Sequence, residues 1–144
     1  MCDLNFPDFQ FRFKSSENKW FIFDEIRKKH VLLTPEEWVR QHVVRFLIEI
    51  KGYPKSYINV EKIVKINGMN KRYDVVVFNQ KGGIFLLVEC KEPNVAITQA
   101  VFDQIARYNR SLNAEYLMVT NGLKHYNCKL DYINESYQFL ADLP

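Results

Sequence analysis

Apolar residues fall along this chain in three different spacings. Between Thr34 and Ile50, Val39, Val43, Phe46, Leu47 and Ile50 recur every three or four positions, which predicts a helix with one inward stripe. Thr34 supplies an N-cap, Pro35 takes the first helical position and Glu37 completes a T-x-x-E capping box. Gly52, Tyr53 and Pro54 end that helix. From Tyr57 the period changes: Ile58, Val60, Ile63, Val64 and Ile66 form a β-branched run closed by an Asn67–Gly68 turn. Tyr73 to Phe78 (YDVVVF) reads as the next strand and Lys81-Gly82-Gly83 as the next turn. Ile84 to Val88 (IFLLV) is a continuous apolar run, the pattern of a central strand buried on both faces. A second helix is predicted from about Thr98 to Leu112 with Val101, Ile105 and Leu112 inward. Another strand follows at Tyr116 to Thr120, closed by Asn121-Gly122, and edge strands are predicted within Tyr126 to Leu140.

The N-terminal fifth is less regular. Residues 1–19 read as an extended arm, Trp20 to Asp24 as a short strand, and Arg27-Lys28-Lys29-His30 as a basic turn. The order helix, three strands, helix, strand predicts an α/β fold in which helices flank a central sheet. At 144 residues one domain, 1–144, is expected, and no repeat or linker interrupts it. An apolar fraction of 47% argues for a packed core and against disorder.

Charge adds little. Twenty Lys and Arg against seventeen Asp and Glu give a formal +3, compatible with a polyanionic partner without requiring one. Cys2, Cys90 and Cys128 form no CxxC pair and no Cys/His cluster, which argues against a zinc site and a disulfide framework and for a reducing compartment. The N-terminus lacks a signal-peptide pattern, and no apolar run approaches the ~20 residues of a membrane span. A cytoplasmic protein is the expectation.

The candidate chemistry sits at the end of the apolar run. Glu89 and Lys91 flank Cys90, and strand alternation sends both to one side. Counting back through the Lys81-Gly82-Gly83 turn places Asp74 opposite Glu89. Two facing carboxylates raise at least one pKa unless a cation lies between them, and a hard divalent ion such as Mg²⁺ suits carboxylates plus a carbonyl. Taken singly, Asp74 reads as a turn residue and Lys91 as half of a surface ion pair of little worth. Glu36 precedes Val39 and Val43 by three and seven positions, so it is expected on the inward stripe. It is either a third acid for the same ion or a charge placed to suit the helix dipole. On the second helix, Gln104 and Tyr108 share a face, with Arg107 and Arg110 nearby as phosphate partners or as part of a solvated surface.

These residues together resemble a known family. Asp74, then Glu89-x-Lys91 after an apolar strand, resembles the PD-(D/E)xK nuclease superfamily, and Gln104-x-x-x-Tyr108 is similar to the Q-x-x-x-Y motif of some of its branches. Pro35-Glu36-Glu37-Trp38-Val39-Arg40, with LLVECKEP, FDQIARYN and VTNGLKHY, is similar to type I restriction enzyme R-subunit N-terminal domains, in particular short stand-alone bacterial members. The resemblance implies a restriction-endonuclease-like mixed central sheet flanked by helices. It also implies metal-dependent hydrolysis of DNA, with Asp74, Glu89 and the Cys90 carbonyl holding Mg²⁺ (or Mn²⁺) and Lys91 acting on the attacking water. Glu36 would complete the metal site, and which of Glu36 and Glu37 reaches the ion stays open. Gln104 would have a positioning role, and Tyr108, Arg107 and Arg110 would contact nucleic acid. Tyr73 stands where the superfamily's usual proline precedes the first acid. No G-x-x-x-x-G-K-[ST] motor motif occurs, which leaves open a separate motor or specificity chain and a homodimer as partners besides DNA.

Overall fold

Residues 13–32 hold three strands where the sequence pattern suggested one. β1 (Phe13–Ser16), β2 (Lys19–Asp24) and β3 (Lys29–Leu32) form an antiparallel sheet. Both joining turns use non-glycine residues in the left-handed region. Glu17 and Asn18 (φ 52° and 63°) close the first, and Lys28 (φ 56°) completes the second. That second turn is built on the Asp24 carboxylate, which accepts the Ile26 and Arg27 N–H groups at 2.7 and 2.8 Å. The expected basic turn therefore becomes a turn at residues 25–28 followed by a strand. The computed structural model describes residues 1–66 and 68–144, Ile66 by its backbone alone.

α1 (Pro35–Arg45) starts as its sequence predicts, the Thr34 hydroxyl accepting the Glu37 N–H at 3.1 Å. The other half of the capping box is absent from the described contacts. Glu37 turns inward instead, because Arg27, Arg40 and Gln41 offer its carboxylate donors at 2.8, 2.7 and 3.1 Å. A π-helical turn, Phe46–Ile50, extends the helix and Gly52 (φ 72°) ends it. Val39, Val43 and Leu47 are fully buried, but the wider π turn carries Ile50 off the stripe, and it is 54% exposed. The outer side of α1 is covered by the N-terminal arm: Phe11 packs on Trp38 and His42, and the Trp38 indole N–H donates to the Cys2 carbonyl at 2.9 Å.

Beyond α1, β4 (Ile58–Ile66), β5 (Met69–Phe78), β6 (Ile84–Cys90), β7 (Tyr116–Thr120), β8 (His125–Asp131) and β9 (Ser136–Leu140) form one six-stranded sheet in sequence order. Every neighbouring pair is antiparallel except β6 and β7. That parallel pair needs a long crossover. α2 (Gln99–Tyr108), capped by the Thr98 hydroxyl on the Val101 N–H, lies within it. Of the expected Asn67–Gly68 turn, Asn67 lies outside the described residues and Gly68 has φ 77°. Val75, Val77, Leu86 and Val88 pack with α1, while Val76, Leu87, Val119 and Tyr73 pack with α2. The central strands are therefore buried on both faces. α2 is phased one residue away from the expectation, since Phe102 and Ala106 are its buried residues and Val101, Ile105 and Leu112 are half-buried.

Candidate functional site

The site forms where two central strands part. β5 and β6 pair as far as Val75 opposite Val88, a register that would next bring Asp74 to Glu89 and Tyr73 to Cys90. Instead the Cys90 N–H donates to Asp74 Oδ2 at 2.8 Å. The Lys91 N–H points the other way, to the Thr120 carbonyl of β7 at 2.8 Å. An extended strand alternates the edge to which its residues send both backbone groups, so the Cys90 carbonyl also faces the gap beside Asp74. Opposite, β4 is interrupted between its Val60–Val75 and Lys62–Tyr73 pairs by Glu61, a non-glycine residue with φ 52°.

Asp74 is held from the α1 side. Arg40 Nη2 lies 2.7 Å from Asp74 Oδ1 and Arg40 Nη1 2.7 Å from Glu37 Oε1, with Glu36 and Glu61 at 3.4 and 3.6 Å from Nη2. Burial alone would favour an uncharged Arg40; Glu37 and Asp74 outweigh it and bind its proton more tightly than usual. Arg27 and Gln41 complete the network by joining Glu37 to the fully buried Asp24. Burial pushes the Asp24 carboxyl up, but the Arg27 N–H, the Arg27 guanidinium and the Gln41 amide hold it below its ordinary value.

Glu89 is placed differently. It faces Lys91, Nζ to Oε1 at 3.9 Å, too far for a strong hydrogen bond. Its carboxyl is pushed up to about 7, first by burial and then by Asp74, with Lys91 and Lys71 opposing and Glu36 adding repulsion. Tyr73 is fully buried, and among the described residues its hydroxyl has no partner; burial and Glu89 push it up to about 12. Lys71 Nζ donates to Asn109 Oδ1 at 3.2 Å and stands over the rings of Tyr73 and Tyr108.

Residues 35–144 match the family described as the type I restriction enzyme R protein N terminus. The chain belongs to that family. A solved fragment assigned as the HsdR subunit of a type I restriction enzyme from Vibrio vulnificus YJ016 has the same fold, with a TM-score of 0.52 and 21% identity over 78% of this chain. The chain spans 24% of that structure. None of the curated proteins matches. Among the described residues no helix is long and apolar enough to cross a membrane.

In this R-protein N-terminal fold the residues expected at the site divide into three groups. Asp74, Glu89, Cys90 and Lys91 meet at the parted strands. Glu36 lies at their rim rather than on the buried stripe, with 48% of its side chain exposed. Burial and Asp74 still raise its pKa against Arg40 and Lys91. Glu37, which the capping box was expected to use, is the inward acid, and it serves Arg40. On α2, Tyr108 reaches the site through Lys71, whereas Gln104 is exposed and its side chain makes no hydrogen bond among the described residues. Arg107 and Arg110 point away: with Asp103, Asp131 and Glu135 they line a separate cavity of about 170 Å³ against β8 and β9. Arg40, Lys71 and Tyr73 escaped the sequence reading. The signal for Arg40 was its spacing, three and four residues after Glu37 and Glu36 and next to buried Val39.

Proposed function

We propose that this chain is a metal-dependent nuclease of the PD-(D/E)xK type acting on DNA, with Asp74, Glu89 and Lys91 at its centre. The observation that carries the reading is the parting of β5 and β6, which leaves Asp74, Glu89 and a main-chain carbonyl around one gap with Lys91 beside it. Hard oxygen donors of this kind suit Mg²⁺ or Mn²⁺, which take one or two carboxylates and keep several waters. Asp74, Glu89 and the Cys90 carbonyl would hold the ion, with Glu36 acting from the rim. Among the described residues no three His, Cys, Asp or Glu side chains are grouped so as to hold a metal ion, so an ion here would rely on that carbonyl and on water. The metal, when bound, supplies a more acidic water and stabilises charge on the scissile phosphate. Lys91 offers three donors, able to orient the nucleophile or meet a phosphate oxygen. The Cys90 thiol, pushed well up by burial, stays protonated and takes no part. Arg40 fixes Asp74 through a buried pair. A motor or specificity chain would belong to the larger assembly to which a relative's R subunit belongs.

Arg40 also favours a second reading. Both oxygens of Asp74 already accept hydrogen bonds, from Arg40 and from Cys90, so the fold holds its first acid without an ion. A domain that binds nucleic acid or assembles with partners without cutting would keep this arrangement. Linear, circular and single-stranded DNA incubated in EDTA, Mg²⁺ and Mn²⁺ with the protein and its Asp74→Ala and Lys91→Ala variants separates the two. Metal-dependent cleavage that disappears in both variants supports the nuclease. DNA binding by the unaltered protein with no cleavage in either metal supports the second reading.

A further inference from the structure

The β4–β5 hairpin runs past the end of the sheet. β5 loses β6 after Val75, yet β4 and β5 stay paired through Lys62–Tyr73, Ile63–Arg72, Val64–Lys71, Lys65–Asn70 and Ile66–Met69. What emerges beside the site is a two-stranded ribbon. Residues 61–73 carry Lys62, Lys65, Lys71 and Arg72 against the single acid Glu61, a net +3; the rest of the chain therefore sums to zero. Glu61 is turned back onto Arg27 and Arg40. Lys62, Lys65 and Arg72 are exposed and, among the described residues, lie in no ion pair.

The two faces of the ribbon lead to different acids. Strand alternation and pairing put Arg72, Asn70, Lys65 and Ile63 on the face that continues from Asp74, and Lys62 and Lys71 on the face of Tyr73, beside Glu89. We propose that this ribbon is the docking element for duplex DNA, its cations gripping the phosphates next to the one presented to the site. The inference rests on the nuclease reading for its geometry and on charge complementarity for its partner. Four residues of strand span roughly 13 Å, the axial rise of about four base pairs at ~3.4 Å each. A two-stranded ribbon is also narrow enough to enter a major groove. Exposed Ile63 and Met69 add apolar contact at the same end.

The test is binding of a fluorescent 30-base-pair duplex in EDTA, measured by anisotropy over a salt series. A Lys62→Ala/Lys65→Ala/Arg72→Ala protein is compared with a control that loses equal charge elsewhere, Lys14→Ala/Lys28→Ala/Lys129→Ala, both checked for unchanged Tm. The ribbon variant is expected to bind at least tenfold more weakly, with the salt slope reduced by about 2 to 3, and the control to stay within twofold of the unaltered protein. Equal affinity in the ribbon variant, or no duplex binding by the unaltered protein at low salt, overturns the proposal. So does a sedimentation profile in which the ribbon substitutions convert a dimer to a monomer without changing DNA affinity. Ribbon-dependent binding without metal-dependent cleavage would keep this inference and remove the nuclease reading. Cleavage with ribbon-independent binding would do the reverse.

Discussion

Asp74 and Glu89 stand on neighbouring strands, one register step beyond the last β5–β6 pair, and the fold treats them in opposite ways. Asp74 has a guanidinium at 2.7 Å and a backbone N–H at 2.8 Å, and behind the guanidinium lies a chain of further acids and donors reaching Asp24. Glu89 has an ammonium 3.9 Å away and close by a buried phenol that has no hydrogen-bond partner among the described residues, and its proton is held to about neutral pH. One half of the site is complete without help. The other half has too little positive charge close by to keep Glu89 ionised below neutral pH, so in the proposed nuclease a divalent ion would be demanded by Glu89 and accommodated by Asp74.

The largest effect is expected at the satisfied half. Asp74→Ala removes one of the two carboxylates at 2.7 Å from Arg40 and leaves the Cys90 N–H without its acceptor, which should cost about 2–4 kcal/mol in urea unfolding. Asp74→Asn, which still accepts from Cys90, should cost distinctly less. A loss below 1 kcal/mol for the alanine variant would mean that Arg40 is not held by Asp74 in solution. At the unsatisfied half the sign reverses. Glu89 releases its proton near 4.5 when unfolded and near 7 when folded, so the folded state carries the extra proton between those values. Stability due to this group is unaffected below pH 4.5, falls as pH rises to 7, and stays lowered above it. Glu89→Gln should therefore stabilise the metal-free protein at pH 8 by about 1–3 kcal/mol, and by nothing at pH 4. Equal Tm shifts at both pH values would remove the burial argument.

Divalent ions sharpen the contrast further. Mn²⁺ at a hundred times its Kd should raise the stability of the unaltered protein by about 2.7 kcal/mol, most clearly above pH 7, and should do little for Glu89→Gln. Calorimetry on the two proteins supplies the Kd values. The smallest expected effects are at the rim and on α2. Glu36→Gln should weaken Mn²⁺ binding several-fold while moving stability by less than ~0.5 kcal/mol, and Gln104→Ala should leave stability equally unmoved. A large stability loss from either would contradict their exposure.

The sequence made the central features legible because they rest on local rules. The Thr34 cap and the buried strand from Ile84 follow from spacing and capping rules, and counting back from the turn brings Asp74 to Glu89 only to within the one-residue shift at Val77–Phe78. Features that depend on distant partners were hidden. Glu37 looked like a capping residue because its competing donors, Arg27 and Arg40, come from a loop ten residues earlier and from the next helical turn. β1 and β3 were missed because their turns use Glu17, Asn18 and Lys28 at positive φ, where glycine is the usual signal. Ile50 left its stripe because a π turn has no sequence period of its own. Tyr73 read as an ordinary strand residue, since only tertiary packing buries its hydroxyl beside Glu89.

The family match begins at residue 35, yet the Arg27 guanidinium that supports Glu37, and Asp24 behind it, precede that point. The three-stranded sheet thus delivers one cation across that boundary. A relative that replaced these first 34 residues would need a segment that both covers the outer side of α1 and brings a positive charge to the acid corresponding to Glu37.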